Sequence, residues 1–211
     1  MRDERNLMPR QDLSAHGCAK AAPSSVTPAH TPLARRVLPF LIRRDGTWLY
    51  RGTPITRKPM VCLFASMLTR DAEGTFWMRT PTESGTIQVE DAPFLAVALD
   101  FHGTCGRRQN LCFRTNVDEV VCAGPDHPLL CHWDAPCAED CAGAVPYLTV
   151  RSGEDGMPIQ ARLTRAVYYE LAALAVPGHA DGRPCMGVWS QDVFFPLGPM
   201  PGAGHDCMDD L

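Results

Sequence analysis

The sequence predicts an α+β fold in two small lobes, built mostly from antiparallel strands. Three observations point there. Turn residues punctuate short apolar runs along most of the chain, two stretches show helical spacing, and one strand, turn and helix pattern can be laid on the chain twice. With 211 residues and 45% hydrophobic content the chain can bury a core, which excludes a wholly disordered polypeptide.

The first lobe is assigned to residues 37–104. Asp45-Gly46 lies between Ile42 and the run Trp48-Leu49-Tyr50, as in a tight hairpin whose glycine supplies positive φ. Gly52 turns the chain toward Pro54-Ile55, and Pro59 suits the first turn of a helix, where its missing N–H costs nothing. Apolar residues at 60, 61, 63, 64, 67 and 68 extend that helix to about Arg70. A turn at Asp71–Gly74 leads into a strand from Thr75 to Thr80. Ile87 and Val89 alternate with polar neighbours, whereas Phe94 to Leu99 is apolar on both faces and reads as a central strand.

The second lobe, residues 105–198, follows the turn-rich HGTCGRRQN. Leu111, Phe113 and Thr115 alternate with Cys112 and Arg114, and Asn116-Val117-Asp118 turns the chain into Glu119 to Cys122. Residues 124–143 lack any period and read as a long loop. Tyr147 to Arg151 is a strand. Leu163, Val167, Leu171 and Leu174 mark a helix stopped by Pro177-Gly178, and Val188 to Leu197 supplies one or two closing strands. The repeat sets YRGTPITRKPMVCLFASML beside VRSGEDGMPIQARLTRAVYYELAAL, each followed by an aromatic strand. Residues 1–36, rich in Ala, Pro, Ser and Thr, form a disordered head, and 199–211 a flexible tail.

Charge narrows the partners. Basic residues number 20 against 24 acidic, but 1–36 holds six basic and three acidic, leaving 14 against 21 for the rest. So acidic a body is poorly suited to phosphate backbones, and nucleic acid is not expected as a partner. No apolar stretch reaches 18 residues and no signal-like run opens the chain, so neither membrane nor export is expected. A cytoplasmic setting follows, with the ten cysteines as reduced thiols.

Certain of these motifs, taken together, resemble the DUF1285 family of bacterial proteins of unknown function. They are DGTWLYRGTPITR, LFASML, TPTES with VEDAPF, FRTN, DHPLL, PYLTVRSG with ARLTRAVYYELA, and FFPLG, spanning about residues 40 to 198. The resemblance implies two α+β domains with a repeated structural motif, suggests an accessory role in signal transduction, and brings no catalytic or cofactor residues. The Pro-rich head and the loop at 131–141 depart from the pattern and inherit nothing.

No G-x-S-x-G, phosphate-binding loop or G-x-G-x-x-G is present, so the reading leans away from an enzyme and expects no cofactor. The expected function is binding of a small anionic ligand or a protein partner. A hydrolase with a thiol or carboxylate at the lobe interface and a pure interaction module stay open as alternatives. Candidate ligand residues are Arg57, Arg151, Arg162 and Arg165 around the helix starts, with Thr80, Glu83, Thr115 and Asn116 in turns. Arginine forks beside helix N-termini favour carboxylate or phosphate. Glu83 could instead neutralise one arginine as an internal ion pair, and the threonines and Asn116 could serve their own turns. Trp48, Tyr50, Phe76 and Trp77 are expected in the core or the lobe interface. A weaker metal candidate is Cys131, Cys137 and Cys141 with His132, whose spacing lacks the paired knuckle of structural zinc sites.

Overall fold

A computed structural model of the chain describes residues 36–132, 145–153 and 156–200. The first sheet comprises β1 (Val37–Ile42), β2 (Trp48–Tyr50), β3 (Thr53–Pro54), β4 (Leu68–Arg70), β5 (Phe76–Arg79) and β6 (Ser84–Val89), with α1 (Lys58–Ser66) between β3 and β4. Their order is β3-β2-β1-β6-β5-β4, antiparallel except that β6 returns parallel beside β1. The second sheet comprises β7 (Phe94–His102), β8 (Asn110–Thr115), β9 (Val120–Cys122), β10 (Leu129–Leu130), β11 (Tyr147–Ser152) and β12 (Pro158–Leu163). It runs β10-β11-β12-β7-β8-β9, with β12 parallel beside β7. Then come α2 (Arg165–Ala172) and an antiparallel sheet of β13 (Val176–Ala180), β14 (Arg183–Ser190) and β15 (Val193–Pro199).

The mostly antiparallel α+β class is therefore observed, with several local corrections. The first helix stops at Ser66, because Leu68-Thr69-Arg70 pairs with Phe76–Arg79 across the Asp71–Gly74 turn. Asp71 pins that turn by accepting from Thr75 N at 2.7 Å and from Trp77 Nε1 at 2.7 Å. Met67 and Leu68 continue the apolar spacing of the helix although Met67 is already its C-cap and Leu68 opens β4. Leu163 is likewise the last strand residue of β12, alternating in burial with Ala161 and Ile159, and the helix begins only after Thr164. Pro177-Gly178 stops no helix. It lies in β13, an edge strand, where proline removes no needed ladder donor.

The strand Phe94–His102, read with the first lobe, belongs to the second sheet and lies between β12 and β8. HGTCGRRQN is accordingly the connection from β7 to β8 within that sheet and joins no lobes. All described residues fall in one compact unit. A single cluster of buried side chains runs from Ile42, Trp48 and Met78 through Phe94, Phe113 and Leu148 to Val188 and Leu197. No helix among the described residues is long and apolar enough to cross a membrane.

α1 is held by the second sheet at three places. Lys58 Nζ meets Asp118 Oδ1 at 2.6 Å, and Cys62 Sγ donates to Val117 O at 3.4 Å. Arg151 Nη2 donates to Ala65 O in the last turn of α1 at 2.5 Å and to Leu68 O at the start of β4 at 3.3 Å, bridging the two elements. The other face of α1 is turned to the first sheet.

One cysteine pair departs from the reduced thiols expected. Cys112 and Cys122 are direct cross-strand partners on β8 and β9, and their sulfurs are bonded. The bond closes a loop of ten-residue separation, for which the chain-entropy relation gives about 2.5 kcal/mol. Reduction should lower the unfolding free energy of the wild type by that amount, moving its denaturation midpoint down, and leave a Cys112→Ser, Cys122→Ser double variant unmoved. Equal midpoints with and without reductant in the wild type would show the bond to be absent.

Candidate functional site

A cavity lies beside a proline in the middle of a sheet. β1 is an interior strand, yet Pro39 offers no N–H, and the parallel ladder to β6 slips between Val37 and Leu41. Pro39 O turns instead to Arg51 N at 2.8 Å. Beside this irregularity, under α1, opens a cleft of about 440 Å³. Phe40, Ile55, Phe64 and Met78 give it an apolar floor, and Phe40 packs edge-on to Phe64 with ring centroids 5.1 Å apart. Tyr50 and Met60, each about two-fifths exposed, form apolar walls that water still reaches. Arg36, Arg51, Thr80 and Glu83 supply the polar part. Arg36 and Glu83 pair loosely at 3.8 Å, and the Arg51 guanidinium lies 5.3 Å from the Tyr50 ring centroid.

A second, polar cavity of about 240 Å³ lies at the joint between the two large sheets. Its centre is Asp91, in the short link from β6 to β7. Tyr147 Oη donates to Asp91 Oδ1 at 2.8 Å, while Arg44 Nε and Arg162 Nε approach Oδ2 at 3.4 and 3.3 Å. Burial first, and then the hydrogen bond to Asp91, push the Tyr147 hydroxyl above the usual tyrosine range.

The residues predicted from sequence scatter over these features. Thr80 and Glu83 reach the cleft, where Thr80 Oγ1 accepts from Glu83 N at 2.9 Å and so shapes the turn. Glu83 finds Arg36 as its partner, so the ion pair expected to tie this turn to a helix-start arginine is not formed. Arg162 joins the Asp91 cluster. Arg151 is committed to α1, to Glu119 at 3.5 Å and to the face of Phe94, and opens on neither cavity. Thr115 is fully buried and its Oγ1 accepts from Glu119 N. Thr115 thus serves its own turn, whereas Asn116 Oδ1 accepts from Leu95 N at 3.0 Å and ties that turn to β7. Arg57 is exposed at the start of α1, and Arg165 folds back onto Tyr169 with Nε to Oη at 2.9 Å. Neither lines a described cavity.

Cys131 donates its thiol to Leu197 O at 3.2 Å, and burial pushes it up to about 11. Such a thiol stays protonated at neutral pH and is a poor nucleophile. His132 lines the Asp91 cavity instead. Cys137 and Cys141 lie outside the described residues, and no group of metal-ligating side chains is found among those described.

Two family models match in succession. Residues 29–92 match the N-terminal domain of unknown function DUF1285, and residues 93–197 match the C-terminal domain of the protein of unknown function DUF1285. The chain belongs to the DUF1285 family. The boundary between the two DUF1285 domains falls at Asp91 to Pro93, the link that separates the two large sheets. A crystal structure of a DUF1285 family protein from Silicibacter pomeroyi DSS-3 is 36% identical, with a TM-score of 0.64, covering 78% of this chain and 83% of that one. Another, from Shewanella baltica OS155, is 28% identical with a TM-score of 0.44, covering 65% and 92%. No curated protein matches the chain.

Sequence reasoning on this DUF1285 chain missed both cavities. For the cleft a signal existed, since Pro39 inside an apolar strand demands an edge or an irregularity. For the joint there was none, because Arg44, Asp91, Tyr147 and Arg162 are brought together only by the tertiary fold.

Proposed function

We propose that this DUF1285 protein is a non-catalytic binding protein whose ligand is a small molecule with an apolar body and an anionic end, held in the cleft under α1. The observation that carries this reading is the pairing of an apolar, aromatic floor with Arg36 and Arg51 at the rim, in a volume within the usual range for small-molecule sites. The loose Arg36–Glu83 pair, exposed on both sides, is cheap for an anion to displace. An accessory role in signalling would follow if the ligand, touching Met60 and Phe64, steadied a helix that the second sheet holds from its other side.

The identical strand order of the two six-stranded sheets supports reading them as one motif used twice. The pairing of repeats would then run β1–β6 on β7–β12, shifted from the alignment read in the sequence. A cytoplasmic setting belongs to the same reading, and reduction of Cys112–Cys122 bears on it directly.

Calorimetry with medium-chain and aromatic carboxylates, beside their uncharged amides, tests the proposal. The carboxylates should bind and raise the melting temperature, the amides should bind at least about tenfold more weakly, and Arg51→Glu should remove that preference. Equal, flat responses to acids and amides in the wild type would overturn it.

A further inference from the structure

The geometry points to a second binding site, for a small oxyanion bearing a phosphate or carboxylate group, in the polar cavity at the joint of the two large sheets. It is independent of the cleft, and nothing in the family description assigns it.

Charge is the first argument. Asp91 is the one carboxylate among the described lining residues; Arg44 and Arg162 reach it from outside the lining, where the Glu90 carboxylate also accepts from Arg44 N at 2.8 Å, so these four groups balance in charge. Arg70, itself in the lining, adds a further cation. Preorganisation is the second. Arg70 Nε donates to Gly74 O at 3.0 Å, Nη1 donates to Pro158 O at 2.9 Å, and the guanidinium lies 5.0 Å from the Phe76 ring centroid. A guanidinium held at two of its nitrogens and on one face loses little freedom when an anion takes its remaining N–H groups.

The lining also fits in kind and size. Gln160 and His132 place further donors around the cavity, and Tyr147 has spent its hydroxyl proton on Asp91. About 240 Å³ is small for an apolar ligand and ample for one oxyanion with a few waters. A partly buried positive surplus of this kind is stabilised by a counter-anion, and a bidentate contact to an arginine is the strong form of that interaction.

The test is calorimetry on the full chain with inorganic phosphate and, separately, succinate, against chloride at equal ionic strength. Millimolar or tighter binding of at least one is expected. Whichever binds more tightly distinguishes a tetrahedral from a planar oxyanion. Gln160→Glu, nearly isosteric, should weaken that binding by at least about tenfold. His132→Asp, at an exposed position, should do the same and serves if the first variant fails to fold. Arg51→Glu, in the cleft, should leave it unchanged. No binding in the wild type beyond chloride would overturn the proposal. So would binding lost in Arg51→Glu but kept in Gln160→Glu or His132→Asp, because the anion would then occupy the cleft.

Discussion

Gly153→Ala is expected to destabilise the protein by about 3 kcal/mol, the upper end for inserting a methyl group into a packed site. A Cβ at Gly153 would lie 2.5 Å from Arg70 O and 2.9 Å from Arg70 N. Both are backbone atoms, so no side-chain rotation relieves the clash. Either β4 or the end of β11 must move, and that displaces the Arg70 side chain from Gly74 O and Pro158 O as well. Gly198→Ala is the control, since a Cβ there meets nothing within 4 Å and its φ is not positive. Urea denaturation should show a large loss for the first variant, with unchanged slope, and little for the second. A midpoint for Gly153→Ala equal to that of the control would mean that β4 and the end of β11 do not approach as described.

Arg151→Ala should cost a comparable amount, about 3 kcal/mol, because it removes a charged donor from one carbonyl at the end of α1 and one at the start of β4. Ala65, one of the two, is 2% exposed, so water replaces the guanidinium poorly. The Glu119 contact at 3.5 Å is long and about one third exposed, and adds little. Arg151→Lys should recover part of the loss, since an ammonium can serve one carbonyl but lacks the planar fork. Hydrogen exchange should place the damage in α1 and β4. A variant of wild-type stability would return Arg151 to the pool of ligand-binding candidates.

Sequence reading succeeded where local chemistry and tertiary structure agree. Asp45-Gly46 predicted a hairpin, and the glycine there has φ of +81° with Asn116 and Leu95 packed where a Cβ would go. Alternation at Ile87 and Val89 predicted a half-exposed strand, which β6 is. It failed where one pattern served two structures, as at Leu68 and Leu163, whose spacing suits a helix although each sits in a strand. It also placed arginines by their neighbours in sequence. Arg151 and Arg162 both stand near a helix start, yet one caps a distant helix and the other faces a carboxylate in the interdomain link. Long side chains reach 6 Å or so from their backbone in any direction the packing leaves open, and one sequence does not record that direction.

The parallel closure of each large sheet bears on how the chain is made. Val37 waits for Thr86, and Phe94 waits for Ala161, before either central ladder can form. On a ribosome the first sheet can therefore close only once β6 has emerged, and the second starts almost at once from a finished neighbour. Until Leu163 leaves the exit tunnel, β7 carries an open edge of Phe94, Leu95 and Ala96 with no strand beside it. That nascent stage is when the chain is most exposed to pairing with the wrong partner, and a pause in translation soon after the β12 codons, with β12 still inside the tunnel, would prolong it.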